Sequence, residues 1–111
     1  MLRGGSGGDV STALGYINLL RRRAYGNDSG NVSAGELTLD FLLDEKCREM
    51  YWEAQRRTDL IRYGRYTGGD YVWPWKGGIR DGRSVADHFN LFPIPATDRS
   101  ANPNLEQNQG Y

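Results

Sequence analysis

Hydrophobic residues in the first part of the chain recur at helical spacing. Five of them lie three or four positions apart and so share one face of a helix: Val10, Leu14, Ile17, Leu20 and Ala24. Asp9 and Ser11 are both suitable N-terminal caps, and Gly26 suits the position just past the last turn. The pattern predicts a helix over about 11–25, preceded by a glycine-rich loop at 4–8.

A second helix is predicted over about 39–63, with Thr38 as its N-cap and Gly64 as its terminator. Seven residues fall on one arc of this helix: Leu39, Leu42, Leu43, Cys47, Met50, Ala54 and Ile61. Three aromatic residues spaced by eleven fall on nearly the opposite side: Phe41, Trp52 and Tyr63. Because a helix that is apolar on two faces is normally sandwiched, we expect these rings to be covered by the C-terminal coil or by another chain.

The regular pattern ends at Gly64. Residues 67–82 are rich in aromatic residues, glycine and aspartate, and 87–95 is expected to be extended because it carries Pro93 and Pro95. The predicted fold is therefore all-α, with an antiparallel hairpin of two helices followed by an irregular segment rich in aromatic residues and proline over 64–111.

Composition excludes several classes of function. Fourteen basic and fourteen acidic residues give a formal net charge of zero, whereas proteins that bind nucleic acids usually show a basic excess. The run from Arg21 to Arg23 fits a solvated helix end better than a phosphate site. Cys47 and His88 are the single cysteine and the single histidine, so they provide neither a disulfide nor a zinc site. We expect no metal, no cofactor and no catalytic residues.

The charged residues of the second predicted helix admit two interpretations. Two pairs have the acid four residues before the base: Asp44 with Arg48, and Glu53 with Arg57. Glu45 and Glu49 would suit acid–base chemistry of the glycosidase kind only if another element supplied a second carboxylate at the right separation. An ion-pair network that locks the helix to its neighbours is the favoured interpretation.

The aromatic cluster of Tyr71, Trp73 and Trp75 is the strongest candidate binding site. Aromatic faces stack on the apolar C–H faces of sugar rings, and exposed functional residues commonly lie on loops. The cluster therefore predicts carbohydrate binding. The alternative is that the two tryptophans close over the second helix and complete its aromatic face.

Three segments together resemble the SusD/RagB family. Residues 43–62 (LDEKCREMYWEAQRRTDLIR) resemble its L-D-E-R-x-R-E-L-x-x-E-G-x-R-x-x-D-L-x-R helix, and 13–24 resembles the preceding A-x-x-Y-I-N-x-V-R-x-R-A helix. Residues 91–111 are similar to the L-F-P-I-P…N-P-N-L-x-Q-N-P-G-Y end of the family. The chain departs from the pattern with Lys46 for arginine, Ala54 for glycine and Gln109 for proline.

The resemblance implies that residues 1–111 are the C-terminal part of a longer α-helical, TPR-containing lipoprotein on the outer-membrane surface of Bacteroidetes. That parent protein would bind oligosaccharides and pass them to a SusC-like TonB-dependent transporter. Its lipid anchor and most of its glycan contacts would lie upstream of this chain. A helical-repeat module that binds proteins rather than sugars is the alternative function.

Overall fold

The computed structural model describes residues 8–111, and the regular structure in this range is helical. Its four α-helices are α1 (Val10–Tyr25), α2 (Leu39–Glu49), α3 (Arg56–Arg62) and α4 (Ala96–Ala101). Short 3₁₀ turns occupy Asp28–Gly30, Lys76–Gly78 and Asp87–Asn90, and one isolated β-bridge joins Gly68 to Val85. The predicted all-α class is confirmed. Most of the loop predicted at 4–8 lies outside the described residues.

The chain divides into two compact units, Met1–Ala54 and Gln55–Tyr111. The first unit contains α1 and α2, and the second contains α3, α4 and the irregular segment. Within residues 8–111, no helix is long and apolar enough to cross a membrane.

Helix α1 begins and ends where the sequence predicts. The Asp9 carboxylate accepts hydrogen bonds from the Thr12 backbone N–H and the Thr12 hydroxyl, both at 2.7 Å. These bonds, led by the one from the Thr12 side chain, lower the pKa of Asp9 from 3.8 to about 2. At the other end Gly26 adopts the left-handed conformation that terminates the helix.

Ion pairs connect α1 with α2 in the first unit. Arg21 Nη1 lies 2.7 Å from Glu45 Oε2, and Arg23 Nη2 lies 2.7 Å from Glu49 Oε1. Leu43 on α2 is buried to 2% exposure, which contributes about 2 kcal/mol by removing its side chain from water. Side-chain contact between the helices is thus present, and their antiparallel orientation as a hairpin stays a prediction.

The loop between α1 and α2 is held against α1 by one asparagine. The Asn18 amide donates to the Val32 carbonyl at 3.0 Å and accepts from the Val32 N–H at 2.9 Å. This pair of bonds satisfies both backbone groups of Val32 as a neighbouring strand would. Thr38 then caps α2, because its hydroxyl accepts from the Phe41 N–H at 3.1 Å.

The prediction of one continuous helix over 39–63 is wrong. Helix α2 ends at Glu49 and α3 begins at Arg56. Between them Trp52 and Ala54 have φ values of 67° and 56°, which the right-handed helix excludes. The family pattern noted above carries glycine at position 54, the residue type that adopts positive φ without a steric penalty.

The break removes the single helix face that the three aromatic rings were predicted to share. Phe41 and Tyr63 are half-buried, whereas Trp52 is 87% exposed in this chain, so its cover by another chain stays a prediction. Glu53 and Arg57 were expected to pair as i,i+4 neighbours on one helix. They do not share a helix, because residues 50–55 are not helical.

In the second unit, Arg57 of α3 fixes the irregular segment. Its guanidinium donates to the carbonyls of Phe89 and Asn90 at 2.9 and 3.2 Å. The same group lies 3.8 Å from the ring centre of Phe92 and 5.0 Å from that of Tyr66. Two carbonyls and two aromatic faces therefore surround one cation in the first turn of a short helix.

Candidate functional site

The loop that carries the predicted site residues is built around the ammonium group of Lys76. This side chain is 2% exposed, and its Nζ donates to the carbonyls of Gly68 and Tyr71 at 2.9 and 2.6 Å, with a longer bond to Thr67 at 3.4 Å. An ammonium has three N–H donors, so each one meets a carbonyl. The loop 67–76 is thereby folded around a single positive charge.

The pKa of Lys76 reflects this setting. Burial lowers the pKa of Lys76 below the ordinary lysine value, and the negative charge of Asp70 acts in the opposite direction. The Trp73 ring, 4.7 Å from Nζ, adds a cation–π contact that favours the charged form.

Trp73 is the central ring of the cluster. Its centroid lies 6.2 Å from that of Tyr66, in a nearly parallel stack, and 6.0 Å from that of Tyr71. The Tyr71 hydroxyl accepts a 2.7 Å hydrogen bond from Arg56 Nη2, which ties the cluster to α3. Trp73 and Tyr71 are both half-buried. One face of Trp73 is thus committed to the fold.

Trp75 is placed differently from the other two predicted residues. Its side chain is 68% exposed, and within residues 8–111 it makes no ring contact with Tyr71 or Trp73. Its backbone has a φ of 70° and its N–H donates to the Arg80 carbonyl at 3.2 Å. A non-glycine residue with positive φ is strained, and such strain is concentrated at functional positions. Trp75 presents a free aromatic face from a braced loop.

Gly82 allows this loop to close. Its φ is 76°, and a β-carbon there would collide with the Trp73 carbonyl and the Val72 side chain. Only glycine combines this conformation with so close an approach. The turn brings Arg83 back to the loop, where its N–H donates to the Lys76 carbonyl at 3.1 Å.

Two clefts border the Tyr66–Trp73 stack. One, of about 310 Å³, is lined by residues of the loop and of the following segment, among them Lys76, Arg83 and Phe89. The other, of about 390 Å³, includes Arg56, Arg57 and Leu60 of α3. Both volumes are at the lower end of the range of small-molecule sites.

The charged residues of the first unit form ion pairs. Glu45 is buried and accepts from Arg21 at 2.7 Å and from Arg48 at 2.6 Å, as the favoured ion-pair interpretation predicts. The acidic partner of Arg48 is thus Glu45, the residue that directly follows the predicted partner Asp44. Arg22 pairs with Asp28, so each arginine of the run has an acidic partner. In the part of the chain that the structure describes, no three acidic, histidine or cysteine residues are grouped to hold a metal.

The profile of the SusD family matches residues 5–111. The chain belongs to the SusD family. The Starch-binding protein SusD of Bacteroides thetaiotaomicron is 47% identical over 105 residues, which cover 95% of this chain. The same alignment covers 18% of that relative, so the chain spans about a fifth of its length.

The family's C-terminal motif acts here as a clasp. The Gln107 amide accepts from the Ile94 N–H at 2.8 Å and donates to the Ile94 carbonyl at 3.0 Å. Asn108 donates to the Phe92 carbonyl and the Tyr111 hydroxyl donates to that of Leu91, both at 2.8 Å. Residues 107–111 therefore hold the extended 91–94 segment in place, which is an architectural role.

Some site residues were not identified from the sequence. Lys76 organises the loop and Tyr66 stacks on Trp73, yet neither stood out beside the tryptophans. A lysine directly after Trp-Pro-Trp, in a segment otherwise suited to a polar loop, was the available signal for Lys76. Arg57 was predicted to pair with Glu53 and Arg56 was assigned no role, because the predicted continuous helix hid their position at the start of α3.

Proposed function

We propose that this chain is part of a cell-surface glycan-binding protein, with the Tyr71–Trp75 loop as a carbohydrate contact. The observation that carries the proposal is the 47% identity with a relative named for starch binding. The geometry supports it, because Trp75 is 68% exposed on a loop fixed by Lys76. Tyr71 and Trp73 act chiefly as structural supports of the loop that carries Trp75. The role is binding, not catalysis.

The longer protein would sit on the outer-membrane surface and deliver oligosaccharides to a SusC-like TonB-dependent transporter. Family membership supports this assignment. The lipid anchor and most glycan contacts would belong to residues beyond this chain, which spans 18% of its relative. Recovery of the transporter with the longer protein, purified from outer membranes, tests the partnership; purification without any transporter would count against it.

Titration calorimetry with maltoheptaose tests the binding proposal. We expect this chain alone to bind in the millimolar range or weaker, because one aromatic platform leaves little free energy after the entropy lost on association. The longer protein should bind more tightly. Trp75→Ala should abolish the weak binding by this chain, and Trp52→Ala, a change of a still more exposed tryptophan in the other unit, should not. Absence of glycan binding by the longer protein would refute the function.

Protein binding is the second candidate function. Helix α1 exposes Tyr16 to 66% and Leu19 to 62%, one helical turn apart. Exposed apolar residues on one helix face favour contact with another chain or with the remainder of the parent protein. Tyr16→Ser with Leu19→Ser would then impair association of the transporter and leave maltoheptaose binding unchanged.

A further inference from the structure

The smaller cleft beside Trp73 is lined by aromatic and cationic side chains. Three aromatic rings line it (Tyr66, Trp73 and Phe89), together with the cationic side chains of Lys76 and Arg83. No acidic side chain is among its lining residues. A ligand that fits must therefore offer an apolar ring face and tolerate, or use, positive charge.

The two cations of the cleft differ in how many hydrogen-bond donors they have available for a ligand. Lys76 directs its three donors at backbone carbonyls, and Asp70 lies close enough to offset part of its charge. Arg83 is exposed and donates through Nε to the Gly77 carbonyl at 3.1 Å. Within residues 8–111 its two terminal nitrogens have no hydrogen-bond partner. Arg83 thus has donors to spare at the edge of the cleft.

A guanidinium with free terminal nitrogens matches a carboxylate. Two parallel N–H donors meet the two oxygens of one carboxylate group, and such charge-assisted pairs are about twice as strong as neutral hydrogen bonds. A uronic acid carries this carboxylate at C5 of a pyranose ring that also presents an apolar C–H face. Such a unit placed in the cleft would set its apolar face against the aromatic lining while its carboxylate reaches Arg83.

We propose that the cleft binds a uronic-acid unit of an acidic oligosaccharide, with Arg83 as the residue that selects the carboxylate. This inference rests on the proposed glycan binding and deepens it. The cleft would be a second sugar contact, separate from the exposed face of Trp75, and it would favour acidic sugars over neutral glucans.

Nuclear magnetic resonance of the 111-residue chain tests the inference, since it measures millimolar affinities. The indole N–H signals of Trp52, Trp73 and Trp75 are assigned with the three Trp→Phe variants. Cellobiouronic acid and cellobiose are then titrated in parallel, because they differ by a carboxylate in place of a hydroxymethyl group. We expect the acid to move the Trp73 signal and to bind about tenfold more tightly than cellobiose, with no change at Trp52.

Two arginine variants isolate the contact. Arg83→Gln should reduce the affinity for cellobiouronic acid to that for cellobiose, whereas Arg80→Gln, at an exposed position of the same loop, should leave it unchanged. Unaltered spectra away from the cleft would show that both variants keep the fold. Binding of the acid should also weaken as sodium chloride is raised.

Equal affinity for both sugars, or equal loss in the two variants, would overturn the inference. So would a carbohydrate-dependent shift at Trp75 with none at Trp73. In that last case a shift at Trp75 with either sugar would still support the proposed function, so the two failures are distinguishable.

Discussion

Glu45 in the first unit and two cations in the second unit are stabilised by different kinds of partner. In the unit up to Ala54, Glu45 lies between Arg21 and Arg48, so charge is met by opposite charge across α1 and α2. In the unit from Gln55, Arg57 and Lys76 are met by backbone carbonyls and aromatic faces. One unit is joined through side chains of regular helices, and the other is folded around cations.

This difference follows from the backbone carbonyls that each unit leaves in need of a hydrogen-bond donor. Helices satisfy their own carbonyls, so their side chains are available to pair with one another. An irregular segment leaves carbonyls without a ladder, and cationic donors supply the missing bonds. An irregular segment that is poor in apolar core can thus be held by one buried cation, Lys76, and one half-buried cation, Arg57.

The largest expected effect is that of Lys76→Met. Three carbonyls lose their donor, and because they are only half-buried each costs near the lower end of the usual range, so we expect a loss of about 3 kcal/mol in the free energy of unfolding. Urea titration followed by NMR signals of Trp73 and Trp75 measures it. Lys76→Arg, which keeps the charge but not the compact shape, should recover part of the loss. A loss below 1 kcal/mol would contradict the role of Lys76.

Glu45→Gln tests the ion-paired unit in the same way. Removing the carboxylate leaves Arg21, whose side chain is 13% exposed, without its charged partner, and we expect about 2 kcal/mol of destabilisation. The matched control is Glu49→Gln, whose partner Arg23 is 66% exposed, with an expected loss under about 0.5 kcal/mol. Similar losses from both variants would show that burial does not set the strength of these pairs.

Ala54→Gly tests the boundary between the units. Relief of the left-handed strain at a φ of 56° exceeds the added chain entropy, so we expect stabilisation by about 0.5–1 kcal/mol. Thermal unfolding of the two proteins measures the change. Ala101→Gly at the end of α4, where no positive φ is present, should not stabilise. Destabilisation by Ala54→Gly would indicate that residues 50–55 are helical in solution.

The smallest expected effect is a pH response at the start of α1. The pKa of Asp9 is lowered from 3.8 to about 2 by its bonds to Thr12, so its contribution to stability is complete above 3.8 and is lost as the pH falls through about 2. The Thr12 amide signal should follow this titration. Asp9→Asn should remove it and keep the cap. The Phe41 amide, bonded to the uncharged Thr38 hydroxyl, is the comparison and should lack this titration.

Much of the first unit followed from the sequence, because helix caps and apolar spacing act locally. Thr38 and Gly26 were each identified from residue type and position alone, Asp9 was one of two candidates beside Ser11, and the structure places all three as caps. The prediction of a continuous helix over 39–63 was wrong because the spacing of apolar residues does not indicate the sign of φ at single residues. The positive φ at Trp52 leaves no trace in residue type, and Ala54 departs from the glycine of the family pattern.

The candidate site was predictable in its residues but not in their roles. Tyr71, Trp73 and Trp75 were chosen as one cluster, and the structure joins Tyr71 to Trp73 and leaves Trp75 apart at 68% exposure. Which ring faces solvent depends on long-range bonds, such as those of Lys76 to Gly68 and Tyr71. Their sugar-binding role stays a prediction.

The C-terminal clasp has a consequence for the order in which the chain folds. Gln107, Asn108 and Tyr111 bind the carbonyls of residues that precede them by 13 to 20 positions. During synthesis, the 91–94 segment is made before these partners, so the bonds that hold it cannot all form until residue 111 has been added. Helices α1 and α2 need only nearby residues and can form earlier. A ribosome stalled before Gln107 would therefore carry a nascent chain that has α1 and α2 but lacks the bonds that hold the 91–94 segment.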